Sequence, residues 1–355
     1  FLLVAILKNN KQNRPPIIFV LYLLLLLIGI AFTKVPEGES IRRSIVFNIS
    51  GPIVLAFSAI YFFDKEFKLS SIINLLYFIL FPLISMVVFL YFRTPDIREI
   101  AFGGTANFIT SGGIGPNQVA TAIGLGIFIL SILILIKKRI SGYLIVDVIL
   151  LIYFTYRGLL TFSRGGILTG AITVLFFSFF YFLYQKKVFK FLIKYIVLAF
   201  VLGLSIWIYT SDITGGMLNN RYTGKNASGE KKEDATSGRS KLFSEQVNGF
   251  LESPIFGIGV GNGKYKRQLG ENKVTAASHS EIGRVLEEHG SLGLIILIIV
   301  LVTPISNIWN QNNYNRAFLT SFYILWFLTI NHSAMRIAFP GFIYGLSLIR
   351  INTDE

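Results

Sequence analysis

The sequence contains no cysteine and few charged residues for its length. None of its 355 residues is cysteine, which excludes a disulfide framework, a thiolate nucleophile and a cysteine-ligated zinc site. Charged residues make up 15% of the chain, whereas a soluble globular domain has about 25%. Together with an apolar content of 53% and a mean hydropathy of +0.63, this excludes an ordinary soluble enzyme and predicts a polytopic membrane protein.

Apolar runs long enough to cross a bilayer recur along the chain. A helix needs about 20 residues to span about 30 Å of hydrocarbon, and the runs lack the alternation of a membrane β-barrel. They lie at 17–33, 45–63, 71–92, 118–136, 142–162, 166–185, 190–209, 292–309, 317–330 and 338–349. Residues 1–7 resemble the end of another run, and because the chain starts at Phe1 we expect a trimmed N-terminus. The predicted fold is all-α, a polytopic membrane helical bundle of about 10 to 12 transmembrane helices.

Basic residues predict the orientation of this bundle. The 33 basic residues exceed the 19 acidic ones by 14, and most of the excess lies in short loops between apolar runs, so we interpret it as a topology signal rather than a sign of nucleic-acid binding. Four alternate loops are therefore predicted to be cytoplasmic, and their basic residues are Lys8, Lys11 and Arg14, then Lys65 and Lys68, then Lys137, Lys138 and Arg139, then Lys186, Lys187 and Lys190. The loops 34–44, 93–117, 163–166 and 210–291 are predicted to face outward. The pair Arg42 and Arg43 is an exception to this rule.

One long insert separates the predicted transmembrane helices of 1–209 from those of 292–355. Residues 210–291 are too long for a simple connection and predict an extracytoplasmic loop domain. Within it, residues 219–241 are polar and rich in Gly and Ser, which predicts a flexible surface loop. Residues 240–253 carry apolar side chains at helical spacing ahead of Pro254, which predicts an amphipathic helix along the membrane surface.

His279 is the clearest candidate for proton transfer. Ser278 and Glu281 have the spacing of a capping box ahead of an apolar periodic run, which predicts a helix with His279 in its first turn. The helix dipole disfavours an imidazolium there, so the neutral ring would be able to accept a proton at neutral pH. The alternative interpretation is a surface histidine at the start of a helix.

Four arginines are candidates for binding an anion. Arg164 lies in F-S-R-G-G between two apolar runs, and in a continuous helix Arg157 would share its face about 10 Å away. Arginine at a membrane edge is costly, so it indicates either a functional partner or snorkelling to headgroups. Arg221 in the polar loop and Arg239 before the amphipathic helix are, taken singly, ordinary surface charges.

Other polar motifs have simpler interpretations. G-I-G-V-G-N-G at 257–263 predicts a tight turn, since it lacks the βαβ context of a dinucleotide loop. T-S-G-G-I-G-P-N-Q at 110–118 offers backbone N–H groups to an anion or is a plain connection. Asp147 and His332 are expected to make structural hydrogen bonds. The sequence has no HExxH motif or carboxylate cluster, so we expect no metal and no other cofactor.

Three motifs follow one another in an order typical of one family. They are S-R-G-G at 163–166, G-R-S-K-L-F at 238–243 running into S-P-I-F-G-I-G-V-G-N at 253–262, and the His279 segment with Glu288 and Gly290 nine and eleven residues later. This layout, over roughly residues 105–300, resembles the O-antigen ligase and O-antigen polymerase superfamily of bacterial envelope glycosyltransferases. The family commonly has His-Asn where this sequence has His279-Ser280.

The resemblance implies a GT-C-type transferase in the bacterial inner membrane, with its active site facing the periplasm. The implied partners are the lipid bilayer, an undecaprenyl diphosphate-linked glycan donor, and a glycan or lipid-core acceptor. His279 would act on the acceptor hydroxyl. The residues that would bind the diphosphate are Arg164 and Arg239, joined by Arg157 and Arg221. The supporting residues would be Ser163, Glu281 and Glu288.

Elementary chemistry agrees with this implication. A lipid diphosphate is already a good leaving group, so a transferase needs charge stabilisation for two phosphates and a base for the attacking hydroxyl. A guanidinium group binds two phosphate oxygens at once and is able to take the place of a metal ion. Direct attack of the hydroxyl on the anomeric carbon would invert its configuration. A ligase with a lipid A-core acceptor is the first hypothesis, a polymerase of the same superfamily is the alternative, and transfer to a protein hydroxyl is a third variant. A lipid-linked sugar flippase or other transporter, from another class, would need charged residues at several depths.

Overall fold

A computed structural model describes residues 16–186, 188–232, 234, 238–269, 278–335 and 337–352. The fold is mostly helical, as predicted. In chain order its helices are α1 (Ile17–Ala31), α2 (Ile41–Phe62), α3 (Leu69–Arg93), α4 (Pro116–Leu135), α5 (Leu144–Leu160), α6 (Arg164–Tyr184), α7 (Val188–Ile213), α8 (Met217–Tyr222), α9 (Arg239–Glu252), α10 (Gly263–Leu269), α11 (Glu281–Trp309), α12 (Asn313–His332) and α13 (Ala338–Leu346). A 3-10 turn covers Ile97–Glu99, and the short strands β1 (Glu66–Lys68) and β2 (Arg350–Asn352) pair with each other.

Six helices in the described part of the chain are long and apolar enough to cross a membrane. They are α2, α3, α4, α6, the Ile193–Ile213 part of α7, and α11. This confirms a multi-pass membrane protein. The predicted runs at 142–162, 317–330 and 338–349 correspond to α5, α12 and α13, which are not among the six, and α1 is a shorter apolar helix. The count of 10 to 12 is therefore not confirmed. Residues 1–7, Lys8, Lys11, Arg14 and Lys187 lie outside the described residues.

The chain forms two compact units. The first unit contains α1 and α2, residues 236–311 with α9, α10 and α11, and residues 322–350 with the end of α12 and α13. The second unit contains α3 to α8 and the beginning of α12. The insert predicted at 210–291 is thus shared, its first part belonging to the second unit and its remainder to the first.

Glycines allow close helix packing inside each unit. In the first unit, a Cβ atom on Gly341 of α13 would lie 2.6 Å from the backbone nitrogen of Leu55 in α2. In the second unit, a Cβ atom on Gly170 of α6 would lie 2.6 Å from the carbonyl oxygen of Gly124 in α4. Small residues at such positions are the usual way for membrane helices to approach each other, because lipid provides little hydrophobic drive for their association.

The chain does not run as one helix from Arg157 to Arg164. Helix α5 ends at Leu160, Phe162 has a φ of 56°, and Ser163 is the extended N-cap residue of α6. A shared helix face was expected only for a continuous helix, and that condition is not met. Arg164 instead becomes the first residue of a new apolar helix.

Candidate functional site

The position of Arg164 is set by the packing of the helix that it begins. Gly166 lies two residues later, and a side chain there would overlap the Ala120 backbone of α4. The N-cap residue Ser163 donates from Oγ to Oδ1 of Asn117, also in α4, at 2.7 Å. The S-R-G-G motif thus attaches the beginning of α6 to α4 and leaves the Arg164 side chain half-buried.

Arg221 and Lys232 converge on one backbone carbonyl. Arg221, on the short helix α8, is buried and donates from Nε to the carbonyl of Phe162 at 2.9 Å and from Nη1 to that of Gly104 at 3.2 Å. Lys232 donates from Nζ to the same Gly104 oxygen at 2.5 Å. The two cations therefore sit beside each other and beside the segment that leads into α6.

Lys232 is held by a compact hairpin where the sequence predicted a flexible loop. Lys225 and Lys231 form an antiparallel bridge, and the Lys232 N–H donates to the carbonyl of Gly224 at 2.9 Å. Within the turn, the Oδ1 atom of Asn226 accepts from the backbone N–H of Glu230 at 2.9 Å. Asparagine and glycine favour such turns because they adopt the required backbone angles and bond back to the chain. The prediction for 219–241 is thus wrong for this part.

Electrostatic effects place Arg164 with these two cations. Burial raises the pKa of the Tyr222 phenol to about 12, opposed by the positive charges of Arg164 and Arg221. Burial also lowers the pKa of Lys232, and Arg221 and Arg164 lower it further. We call Arg164, Arg221 and Lys232 the basic cluster. Because like charges raise one another's energy, an anion bound there would be stabilised.

Arg157 binds to the protein itself. It is 3% exposed, and its Nη2 donates to the carbonyls of Leu90 and Thr110 at 3.1 and 3.0 Å and to Oγ1 of Thr94 at 2.8 Å. These contacts join α3, α5 and the connection between α3 and α4. The geometry therefore gives Arg157 a structural position, and its diphosphate-binding role stays a prediction.

His279 precedes its helix. The N-cap residue of α11 is Ser280, whose Oγ accepts from the N–H of Gly283, and the first helical residue is Glu281. The predicted capping box is therefore wrong, because Ser278 has other partners: its Oγ accepts from Nε2 of Gln246 at 2.7 Å and donates to the carbonyl of Ser280 at 2.7 Å. The segment is thereby bonded to α9, and His279 is half-buried just outside the first turn.

His332 lies near both His279 and Arg239. Its Nδ1 donates to the carbonyl of Leu328 at 2.9 Å, which confirms the predicted structural hydrogen bond. His332 ends α12, which is not among the six candidate spans, and burial lowers the pKa of its imidazole to about 4. The hydrogen bond to Leu328 opposes this shift, while the charges of Arg239 and His279 add to it. Arg239 and His279 therefore each lie within electrostatic reach of His332.

Glu281 and Glu288 stabilise the polar part of α11. Both carboxylates pair with Arg284, and all three side chains are buried. Glu281 also accepts from the N–H of Met335 at 3.1 Å, and Glu288 accepts from that of Gly261 at 2.9 Å. Both carboxylates are therefore engaged in contacts that stabilise the structure next to His279.

The glycine motif at 257–263 forms the predicted turn and also seals a break in α11. Gly290 has non-helical angles, φ 60° and ψ −136°, so the polar first part of α11 ends there. The carbonyls of Glu287 and Glu288, at this end, accept from the N–H groups of Ile258 and Gly259 at 3.0 and 3.1 Å. A side chain at Gly257 would overlap the Glu288 backbone, which explains a glycine there.

The structure thus gathers the candidates in two groups, each within one unit. Arg164 and Arg221 lie together in the second unit, and Arg239 lies with His279 in the first. Sequence reasoning missed Lys232 and Gln246. Lys232 belongs to the run K-K-E-D at 231–234, which has the composition of a solvated surface, and nothing local distinguishes it from Lys231.

Comparison with known proteins finds one family match that covers the candidate site residues. Residues 149–298 match the family model described as O-antigen ligase. The matched range contains every candidate site residue: Arg157, Ser163, Arg164, Arg221, Arg239, His279, Glu281 and Glu288. No curated protein matches the chain. The resemblance to the O-antigen ligase superfamily is therefore confirmed.

Proposed function

We propose that this chain, whose residues 149–298 belong to the O-antigen ligase family, transfers a glycan from an undecaprenyl diphosphate carrier to an acceptor hydroxyl. Family membership supports a glycosyl-transfer role of the ligase or polymerase type. We assign the reaction to the periplasmic face of the bacterial inner membrane and prefer a lipid A-core acceptor, as in a ligase. The observation that carries the proposal is the basic cluster of Arg164, Arg221 and Lys232.

The basic cluster suits the phosphates of a lipid-linked donor. Guanidinium groups bind phosphate oxygens bidentately, and three cations offset the charge that develops on a departing diphosphate. Arg164 begins α6, a 21-residue apolar helix, so the cluster lies where a bilayer span starts. A polyprenyl diphosphate has the same arrangement, with its charged group at the end of an apolar chain.

The distribution of basic residues supports an outward orientation for this end of α6. Lys137, Lys138 and Arg139 precede α5, and Lys186 follows α6. The positive-inside rule assigns those ends to the cytoplasm. The connection 161–163, and Arg164 with it, is then extracytoplasmic.

His279 is proposed as the general base. Its imidazole takes the proton of the acceptor hydroxyl, whose oxygen bonds to the anomeric carbon of the glycan. The bond between that carbon and the diphosphate oxygen breaks, and the diphosphate leaves with the electron pair. Attack from the opposite face inverts the anomeric configuration. Arg239, which like His279 lies within electrostatic reach of His332, is proposed as a further phosphate-binding residue.

The contacts of two ionisable residues argue against a translocation path. Arg157 is bonded to the protein backbone, and Asp147 accepts from the N–H groups of Ile140 and Ser141 at 3.2 and 3.1 Å and from Oγ of Ser141 at 2.6 Å. A transporter would need such groups to exchange partners during transport. Both residues are bonded to fixed neighbours, Arg157 through Nη2 and Asp147 through both carboxylate oxygens, which favours surface chemistry over a flippase.

Transfer by purified protein tests the proposal. The chain is reconstituted with a carrier-linked glycan and, separately, with lipid A-core or a second carrier-linked glycan, and the products are sized. Transfer of one block to lipid A-core is expected for a ligase, whereas a ladder on carrier-linked acceptors would indicate the polymerase alternative. His279→Ala is expected to abolish transfer while leaving membrane insertion and the thermal unfolding midpoint intact. Full activity of this variant would refute the base assignment.

A further inference from the structure

A cavity of about 470 Å³ with several charged side chains in its wall lies within the first unit, at the beginning of α2. Its size falls in the range of small-molecule sites. Ser278, the chain neighbour of His279, is part of its wall. Four basic and two acidic side chains line the cavity, and they are Arg43, Lys264, Arg267, Arg284, Glu39 and Glu288.

The acidic residues of this wall are already engaged. Glu288 pairs with Arg284 and accepts from the Gly261 N–H, and Oε2 of Glu39 accepts from the hydroxyl of Tyr265 at 3.0 Å. Within the described residues, neither Arg43 nor Lys264 makes an ion pair. The cavity therefore has a net positive lining.

A buried donor and a helix end add to this preference for an anion. Arg267 is 7% exposed and pairs with Glu287 through Nη1 at 2.8 Å, but its Nε has no hydrogen-bond partner in the described part of the chain. An unsatisfied buried donor is costly, and a ligand oxygen would relieve that cost. The 22-residue helix α2 also begins at this wall, and the N-terminal end of a helix favours negative charge.

We propose that this cavity binds a phosphate group, using Arg43, Lys264 and Arg267, none of which belongs to the basic cluster. We assign the phosphate to the acceptor, and this part rests on the proposed function. Because Ser278 lines the cavity and His279 follows it in the chain, a phosphorylated acceptor bound there is held beside the general base. A phospholipid headgroup carries the same chemistry and is the alternative source.

Phosphate-dependent stability tests the site. The thermal unfolding midpoint of the purified chain, in an uncharged detergent, is measured in sodium phosphate and in sodium chloride at equal ionic strength. The test variant is R43Q/K264Q, and the matched control R42Q/K266Q removes the same charge from α2 and α10. Arg42 and Lys266 do not line the cavity, and Lys266 has an exposed pairing with Glu252, which contributes little to stability.

We expect phosphate to stabilise the wild type and the control, and the apparent phosphate affinity to fall about tenfold or more in R43Q/K264Q. Equal phosphate shifts in R43Q/K264Q and R42Q/K266Q would overturn the proposal. The midpoint in chloride reports whether each variant is folded. If R43Q/K264Q fails to fold, the single variant K264Q is compared with K266Q in the same way.

Two further measurements identify the source of the phosphate. In nanodiscs of phosphatidylcholine, adding phosphatidylglycerol leaves the phosphate shift of the wild type unchanged if the acceptor is the ligand. Loss of the shift would overturn the acceptor assignment in favour of a lipid headgroup. In the transfer assay, dephosphorylating the acceptor is expected to raise its KM in the wild type but not in R43Q/K264Q; an equal rise in both would contradict the assignment.

The phosphate site and the proposed function are refuted by different results. H279A is expected to lose transfer and to keep the full phosphate shift. A chain that shows the Arg43- and Lys264-dependent shift but transfers no glycan would retain the phosphate site and refute the function.

Discussion

Gly166 and Ala120 pack backbone against backbone, and a methyl group on Gly166 would overlap the Ala120 carbonyl. Gly166→Ala is therefore expected to force α6 away from α4, lowering stability by about 1–3 kcal/mol and displacing Arg164. Transfer activity and the thermal midpoint should fall together. Gly203→Ala in α7 is the matched control, since nothing lies within 4 Å of a Cβ atom there. If both variants were equally stable and active, close packing would not be what positions Arg164.

Lys232 and Lys231 are neighbours with different surroundings. Lys232 is half-buried and bonded to Gly104 beside Arg221, whereas Lys231 is exposed. Lys232→Gln is expected to raise the KM for the carrier-linked donor about tenfold with a smaller change in kcat, because a charge-assisted contact to phosphate is lost. Lys231→Gln should leave both values near those of the wild type. Identical kinetics in the two variants would remove Lys232 from the donor site.

Substitution of Arg157 distinguishes a structural role of this residue from a diphosphate-binding role. Replacing it by glutamine removes the donor to the buried carbonyl of Thr110, so we expect a loss of about 1–3 kcal/mol in stability. The donor KM of the folded fraction should stay unchanged in a titration of carrier-linked glycan. A large rise in that KM without a loss of stability would instead support the diphosphate-binding role inferred from the sequence.

His332 makes stability depend on acidity. The pKa of its imidazole is about 4 in the folded chain, below the ordinary value of about 6.5 for histidine. As pH falls from 6.5 towards 4, the unfolded chain binds a proton that the folded chain does not, so up to about 3 kcal/mol of stability is lost. His332→Gln should show a smaller drop in thermal midpoint over this interval. Parallel pH profiles for the wild type and the variant would rule out His332 as the source.

Metal removal tests the assignment of phosphate binding to cations of the chain. Donor binding is proposed to use Arg164, Arg221 and Lys232, so transfer should survive treatment with EDTA. The measurement compares initial rates before and after chelation, with magnesium restored in a third sample. A strict requirement for a divalent ion would contradict the proposed role of the arginines.

Short sequence patterns predicted the helix and the turn whose formation depends on residues close together in the sequence. The amphipathic spacing at 240–253 and Pro254 predicted a helix, and α9 covers Arg239–Glu252. The glycines at 257–263 predicted a turn, which is present with positive φ at Gly257, Gly259 and Gly261. The S-R-G-G motif identified Arg164 as a candidate anion-binding residue, and Arg164 is the first residue of α6.

Features that depend on residues far apart in the sequence were not predictable in this way. The sequence predicted Ser278 as the N-cap residue of α11, whereas the structure has Ser280 there, and Ser278 accepts a hydrogen bond from Gln246 in another helix. The basic cluster needs Gly104 and Lys232 to meet across 128 positions. The phosphate cavity likewise combines Arg43 with Lys264, and no periodicity connects them.

The interruption of α11 at Gly290 connects the glycine turn to the segment that contains the proposed base, His279. The amides of Ile258 and Gly259 hold the end of the same short helix whose beginning lies directly after His279. A displacement of this turn is thus transmitted along about two and a half turns of rigid backbone to the imidazole. Substitutions at residues 257–259, away from any substrate atom, are therefore expected to change the orientation of the His279 imidazole.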